Sequence, residues 1–424
     1  MGLPNQEAAL EFLDELREGG KGVRVYTHND ADGLTSAAVL LTALSSMGIP
    51  ARVRVLPTEG CLPGTDVGKG PSIVLDMGSG VLHLLEPESK ILVIDHHEVR
   101  SEPPDGVVFV NPRLAGDDRE TSASAVVYTL LRGLLKLEES EAPKPALVGA
   151  YGDNAVPLEG PRGTVATVER DGVEAGLVEV REPGYRAFGR ATRPAKELIS
   201  RLSGEDVAEE LESRLGKEVL SKPLNELEAE EERDLISEHV RLDGEAERWI
   251  GRAHVLEDDR GAPELTDPDE AATVLNACGR HGGEAIGIAL AMGKFLPVET
   301  ARLYREEHRR AIREALEVAE NVTEKKEGFI HVRGGDRIPH SVIGPVSQML
   351  CEERDEVVVG TAKMGDVIKV SIRVPEGSDV DAGDAASEAA EAVGGTGGGH
   401  ERAAGAEIPA GRLDDFLKEL SKRL

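Results

Sequence analysis

Four apolar runs in the first 154 residues of this chain each break off at acidic or imidazole side chains. Val23-Arg24-Val25-Tyr26-Thr27 leads into His28-Asn29-Asp30-Ala31-Asp32-Gly33, and Ser72-Ile73-Val74-Leu75 into Asp76-Met77-Gly78. Ile91-Leu92-Val93-Ile94 leads into Asp95-His96-His97-Glu98, and a last run into Gly149-Ala150-Tyr151-Gly152-Asp153-Asn154. Short apolar runs read as buried strands, and the carboxyl ends of parallel strands are where such a sheet gathers its functional loops. Helical spacing fills the intervals at 5–18, 34–47 and 121–135, the last opened by Thr121 and Ser122 as caps. Further strands are expected at 51–56 and 107–110. Strands alternating with helices in this way predict βαβ units and a mostly parallel sheet with helices on both faces.

The chain has 424 residues, enough for two or three domains with cores of their own. Residues 1–200 are expected to form the catalytic α/β domain, with a Gly/Arg/Val-rich, irregular or β-rich insertion at about 160–195. Residues 201–255 read as an acidic helical connector. The run 201–270 holds 23 acidic against nine basic residues, the pattern of solvated helical faces or of a protein-docking surface. Residues 256–424 are expected to form a smaller C-terminal α/β domain across a cleft. It would contain helices at 271–278, 299–320, 381–393 and 412–424 and strands at 329–332, 356–361 and 367–374.

The formal net charge of −30 excludes broad electrostatic attraction to nucleic acid and leaves room only for a local basic groove. Cys61, Cys278 and Cys351 are scattered and make no CxxC pair, which predicts reduced thiols and a cytoplasmic protein. No run of residues is long and apolar enough for a membrane span.

Carboxylates mixed with imidazoles suit Mn²⁺, and Mg²⁺ accepts the oxygen-rich part of such a set. Two such ions can bind a phosphate, activate a water and stabilise the leaving oxygen. Asp30 and Asp32 alternate on what reads as one extended turn, so both can face an ion. The helix expected from Leu34 would aim its positive end at a bound phosphate. Asp76 is placed to bridge two ions, and His96 and Asp153 can complete the second site. His28 joins the first site as a ligand or as an orienting group. His97 is the candidate for contact with the scissile phosphate, and Asp95 for orienting a histidine.

Taken together, these four motifs resemble the DHH phosphoesterase superfamily and, within it, the archaeal RecJ-like nucleases. Glu120-Thr121-Ser122-Ala123-Ser124, Phe188-Gly189-Arg190-Ala191-Thr192-Arg193-Pro194 and Leu275-Asn276-Ala277-Cys278-Gly279-Arg280 point to the same branch. The resemblance implies metal ligands at Asp30, Asp32, Asp76, His96 and Asp153 and a phosphate-contacting role for His97. It implies two divalent ions, Mn²⁺ favoured and Mg²⁺ possible, and hydrolysis of phosphodiesters by activated water. The implied activity is exonucleolytic cleavage of single-stranded DNA or RNA in replication or repair, with GINS as a partner of such proteins. In the C-terminal domain Gly397-Gly398-Gly399-His400 resembles the glycine-rich signature of the DHH-associated domain, where bare backbone can approach phosphate. Arg280 and Arg373 are candidate phosphate forks, and Arg190 and Arg193 could track a bound strand. Two other readings share these motifs: a phosphodiesterase of small oligonucleotides or cyclic dinucleotides, and a replication scaffold for GINS.

Overall fold

The computed structural model describes residues 2–116, 121–135, 140–258, 260–294 and 297–424; Glu120 of the Glu-Thr-Ser-Ala-Ser stretch lies outside them. Five parallel strands, β1 (Val23–His28), β2 (Ala51–Leu56), β3 (Ser72–Leu75), β4 (Ile91–Ile94) and β5 (Val107–Val110), form the first sheet. Their order is β2-β1-β3-β4-β5, so the winding reverses between β1 and β3. In open α/β sheets that crevice, at the carboxyl ends of the strands, is where ligands bind. β3 and β4 are buried at every residue, which accounts for their unbroken apolar runs.

Strand alternation divides the side chains between two cores. Val25, Ile73, Leu75, Leu92 and Ile94 face a large cluster built with the helices Gln6–Glu18, Ala31–Met47, Ala123–Leu131 and Pro143–Gly152. Tyr26, Val74, Ile91 and Val93 face a smaller one whose helical cover is the 3-10 turns Glu59–Gly64 and Leu82–Leu84.

The 160–195 segment departs from the irregular or β-rich expectation, because it opens with a helix, Gly163–Glu174. Val165 and Val168 lie buried on that helix, and its apparent breakers have structural work. Asp171 accepts from the Tyr128 hydroxyl and from Arg132, and bare Gly172 admits the Val178 side chain. The strand β6 (Val178–Tyr185) then pairs antiparallel with β7 (Ile250–Leu256). Helices Ala195–Ser203, Glu205–Leu215 and Ala229–Leu242 pack around Tyr185, Leu198, Leu211 and Leu235 in a core of their own. The acidic stretch is therefore helical and also folded around apolar residues.

The third sheet contains β8 (Thr323–Lys325), β9 (Ile330–Gly335), β10 (Val358–Met364), β11 (Val367–Arg373), β12 (Thr396–Gly399) and β13 (Ala403–Pro409). Its order is β12-β13-β11-β10-β9-β8, antiparallel except for β9 with β10. Helices Ala382–Glu391 and Leu413–Leu420 cover one face and Ile343–Arg354 the other.

The helices Pro268–Arg280 and Glu284–Ala291, assigned from sequence to the C-terminal domain, bury Leu275, Cys278 and Ile288 in the first core. The long helix Val298–Ala319 begins in that core with Ala301 and ends in the C-terminal one with Ala315 and Ala319. We propose from this packing that the lobes divide within that helix rather than at residue 256. No described helix is long and apolar enough to cross a membrane.

Candidate metal centre

The carboxyl ends of β1, β3 and β4 meet at the reversal point, and the helix Pro143–Gly152 delivers Asp153 to the same place as its C-cap. Asp30 and Asp32 do not share an extended turn. The helix starts at Ala31, with Asp30 as its N-cap accepting from the Gly33 amide at 3.0 Å. One step into the helix the backbone turns, so the two carboxylates point apart.

Asp30 Oδ2 lies 2.7 Å from His28 Nδ1, and Asp76 Oδ2 lies 3.6 Å from the same nitrogen. Asp32 instead turns toward His96, whose Nε2 is 4.0 Å from Asp32 Oδ2, 3.5 Å from Asp76 Oδ1 and 3.0 Å from Asp153 Oδ2. Two of the four candidate donor groups are His28-Asp30-Asp76 and Asp32-Asp76-His96-Asp153, with Asp76 common to both. Its own backbone is unusual, with φ at 56°, a conformation that costs a non-glycine residue free energy and that clusters at functional sites.

Asp32 and His28 are held from behind. Asp32 accepts from the amides of Ala123 and Ser124 at 2.6 and 3.0 Å, at the start of the helix Ala123–Leu131. His28 Nε2 lies 3.2 Å from the Pro57 carbonyl; donation there leaves Nδ1 free to face the carboxylates. Gly149 permits the approach of Pro143–Gly152 to Asp32, since a Cβ there would lie 2.5 Å from Asp32 Oδ1 and closer still to the Ser124 and Thr35 hydroxyls. The amide of Ala31 is taken by Asn276 Oδ1 at 3.0 Å. Two of the first three amides of that helix, those of Ala31 and Gly33, are thus taken by Asn276 and Asp30.

The electrostatics are those of a cation site. Burial, reinforced by Asp153 and Asp76, pushes the Asp32 carboxyl well up; burial and Asp30 raise Asp76. Burial would lower His28 and His96, but the surrounding carboxylates outweigh it and hold both well above the usual imidazole range. Asp76 Oδ2 and His96 Nε2 are buried with no hydrogen-bond partner. Stranded lone pairs in a nest of carboxylates are what a hard or borderline divalent cation satisfies, so these residues fit Mn²⁺ or Mg²⁺.

Asp95 stands behind the centre as a fully buried acceptor. It takes the Ser79 amide at 2.9 Å, the His96 amide at 2.8 Å and His97 Nδ1 at 2.7 Å. Burial alone would raise it, yet His97 and these donors hold its carboxyl far below the usual range. The bond fixes His97 with Nε2 turned outward, and its side chain is 40% exposed. Across the cleft His400 brings its ring to 5.8 Å from that of His96 and 6.1 Å from that of His97. Burial and the two facing histidines push His400 down to about 4.

The cleft of about 270 Å³ between the lobes is lined by His28, Asp76, His97, Gly397, Gly398 and Gly399 among others. These glycines form the edge strand β12, paired on one side to β13. Gly398 offers a bare surface to the Arg100 guanidinium. On β11, Lys369, Ser371 and Arg373 alternate along one face, and Ser371 Oγ is buried without a partner. Burial and the neighbouring Arg280 push Arg373 down to about 10, and Arg280 in turn is buried within the field of Asp30. Both arginines suggested by the sequence therefore lie near each other, with Arg280 also near Asp30.

Arg190 and Arg193 fare differently. Arg190 is 2% exposed and faces Glu232 at 3.4 Å and Asp267 at 3.9 Å, so it cannot track a strand; the sequence carries no mark of its burial. Arg193 is partly exposed and paired with Glu197 at 3.2 Å. Sequence reasoning passed over Arg100, Lys369, Glu407 and Glu59, whose Oε2 braces the loop after Asp76 through Gly78 and Gly80. Only Lys369 had a signal, two residues before Ser371 on the same strand face.

Two family models match the chain: the DHH family, N-terminal domain, over residues 22–151, and the DHHA1 domain over residues 326–424. The chain is 25% identical over 431 residues to an uncharacterized protein of Methanocaldococcus jannaschii, covering 94% of this chain and 92% of that one. It is 33% identical over 172 residues to the single-stranded-DNA-specific exonuclease RecJ of Thermus thermophilus, covering 36% of this chain and only 25% of RecJ. The structure of RecJ from Thermus thermophilus in complex with Mn²⁺ superposes with a TM-score of 0.62 at 18% identity, covering 100% of this chain and 55% of RecJ. CDC45 from Entamoeba histolytica superposes with a TM-score of 0.63 at 10% identity, covering 98% of each chain. At these identities the superpositions show a shared fold.

Proposed function

Because this chain is a RecJ-like member of the DHH phosphoesterase superfamily, we propose that it is a metal-dependent phosphodiesterase that removes nucleotides from single-stranded DNA or RNA. The observation that carries the reading is the shared carboxylate. Asp76 turns Oδ1 toward His96 and Oδ2 toward His28, and Asp76 Oδ2 and His96 Nε2 lack any other partner. Divalent ions held by His28, Asp30 and Asp76 and by Asp76, Asp32, His96 and Asp153 would supply an activated water and offset the phosphate charge.

The remaining roles fall to the chain itself. His97, fixed by Asp95, presents Nε2 to the cleft, where it donates to a phosphate oxygen or protonates the leaving oxygen. Arg280 and Arg373 anchor a further phosphate, which sets the strand's register. A cleft walled by β12 and β13 on one side and the β1–β4 loops on the other favours a single strand over a duplex. The same donor groups also serve a second reading, hydrolysis of dinucleotides.

End-labelled single-stranded DNA, RNA, duplex and a dinucleotide, each incubated with Mn²⁺ and with EDTA, test both. The first reading expects a metal-dependent ladder from the single strands and little from duplex. Turnover of the dinucleotide alone would favour the second.

A further inference from the structure

Two charged side chains in the cleft wall take no part in the metal centre. Lys369 on β11 and Glu407 on β13 are direct cross-strand partners, and both line the cleft that contains His28, Asp76 and His97. Opposite charges in that relation ordinarily attract into a pair. Here they do not close to ion-pair distance, and Glu407 Oε1 is buried without a hydrogen-bond partner. The Thr58 side chain of the opposite lobe lies beside this carboxylate. Burial pushes the Glu407 carboxyl up; burial and the nearby Arg280 push the Lys369 ammonium down. A partly desolvated carboxylate with an orphaned oxygen costs free energy that a donor in the cleft would recover.

The chemistry of that partner follows from sign and setting. A carboxylate in a cleft built for phosphodiesters repels phosphate, so Glu407 is not a phosphate contact. It suits a hydrogen-bond donor, and the donors a nucleotide carries are its sugar hydroxyls and the N–H groups of its base. Lys369 beside it supplies a donor for an adjoining oxygen or ring nitrogen. The surroundings leave space: Gly398 and Gly405 face each other in the next register of the sheet, and Gly60 lies against Glu407 with no side chain of its own. Glu407 also lies within the field of His28, which puts this site next to the metal centre.

We propose that Lys369 and Glu407 form a nucleoside-reading subsite for the nucleotide whose phosphate lies on the metal centre, Glu407 accepting from a sugar hydroxyl or base N–H and Lys369 donating to a neighbouring acceptor. This rests on the phosphodiesterase reading above and adds to it the residues that distinguish one nucleotide from another.

Titration calorimetry on the full chain, with Ca²⁺ in place of Mn²⁺, tests it. The ligands are inorganic phosphate, ribose 5-phosphate, 2-deoxyribose 5-phosphate and the four ribonucleoside 5′-monophosphates; the proteins are wild type, Glu407→Gln and Lys369→Met. Wild type is expected to bind at least one nucleotide more tightly than inorganic phosphate. Each variant should lose roughly tenfold or more of that nucleotide affinity, as for a hydrogen bond to a charged group, and keep its affinity for phosphate. A preference for ribose over deoxyribose 5-phosphate that Glu407→Gln abolishes identifies the sugar as the source. A gain seen only with particular bases identifies the base. Equal nucleotide affinity in all three proteins overturns the subsite and leaves the phosphodiesterase reading standing. Wild type that binds none of the ligands, phosphate included, overturns both.

Discussion

Replacing Gly149 with alanine sets two physical effects against each other. Gly149 lies inside the helix Pro143–Gly152, where alanine is the better helix former by about 1 kcal/mol. Propensity alone therefore predicts a more stable protein. The packing predicts the reverse. The added Cβ would lie 2.5 Å from Asp32 Oδ1 and meet the Ser124 and Thr35 hydroxyls more closely still. All three belong to well-buried residues, so the helix or the carboxylate must move. Overpacking of this kind costs ~1–3 kcal/mol. Moving Asp32 also strains its two amide bonds from Ala123 and Ser124, each a charge-assisted bond of ~1.5–3 kcal/mol. The net expectation is a loss of ~2–4 kcal/mol in unfolding free energy and a Mn²⁺ affinity at least about tenfold weaker at the group containing Asp32. Chemical denaturation read by circular dichroism, with Mn²⁺ titration calorimetry, measures both. Gly244→Ala is the control, because a Cβ there meets nothing within 4 Å. If Gly149→Ala were as stable as wild type and bound Mn²⁺ equally well, the claim that this helix contact fixes Asp32 would be wrong.

Three further outcomes follow from the same structure. Asp95→Asn keeps the shape but puts an amide where four donors converge, so kcat should fall roughly 10²-fold while Mn²⁺ affinity holds; an unchanged kcat removes Asp95 from the positioning of His97. Glu169, paired with Arg252 and His254, is opposed by burial but held down at about 2, below its ordinary 4.5. A depressed carboxyl stabilises the fold above its unfolded value, so ~3 kcal/mol should be present at neutral pH and disappear as pH falls from about 4.5 toward 2. Glu169→Gln should flatten that part of the stability profile, and a profile identical to wild type would refute the pairing. Arg190→Ala removes one buried partner of Glu232, which keeps Arg181 at 2.9 Å and the Tyr185 amide at 3.0 Å, and should cost about 1–3 kcal/mol of stability with no change in KM, whereas Arg373→Ala should raise KM and leave stability nearly intact. The opposite pattern, measured by denaturation and steady-state kinetics, would reverse the two assignments.

The parallel sheet was legible because β3 and β4 are buried on both faces and so carry unbroken apolar runs. The acidic residues that end those runs were legible for the same reason, since strand ends fix where they sit. How Asp30 and Asp32 diverge was not, because it depends on the helix beginning at Ala31 rather than Leu34, and local pattern places helix ends poorly. The helix Gly163–Glu174 was hidden by glycines and an aspartate whose roles are tertiary: Gly172 receives Val178, and Asp171 binds Tyr128 and Arg132. Burial of Arg190 likewise rests on Glu232, 42 residues away in sequence. Lys369 and Glu407 become a pair only through the β11–β13 register, which neither strand specifies alone.

Asp76 is the residue on which the account turns, because both donor groups need it. The most direct test is hydrolysis of an end-labelled single-stranded oligonucleotide by wild type and by Asp76→Ala, with Mn²⁺ present and with the folding of both proteins verified by circular dichroism. The account predicts a ladder of products from wild type and none above background from Asp76→Ala. Cleavage at near-normal rate by the variant, or none by folded, Mn²⁺-loaded wild type, would contradict it.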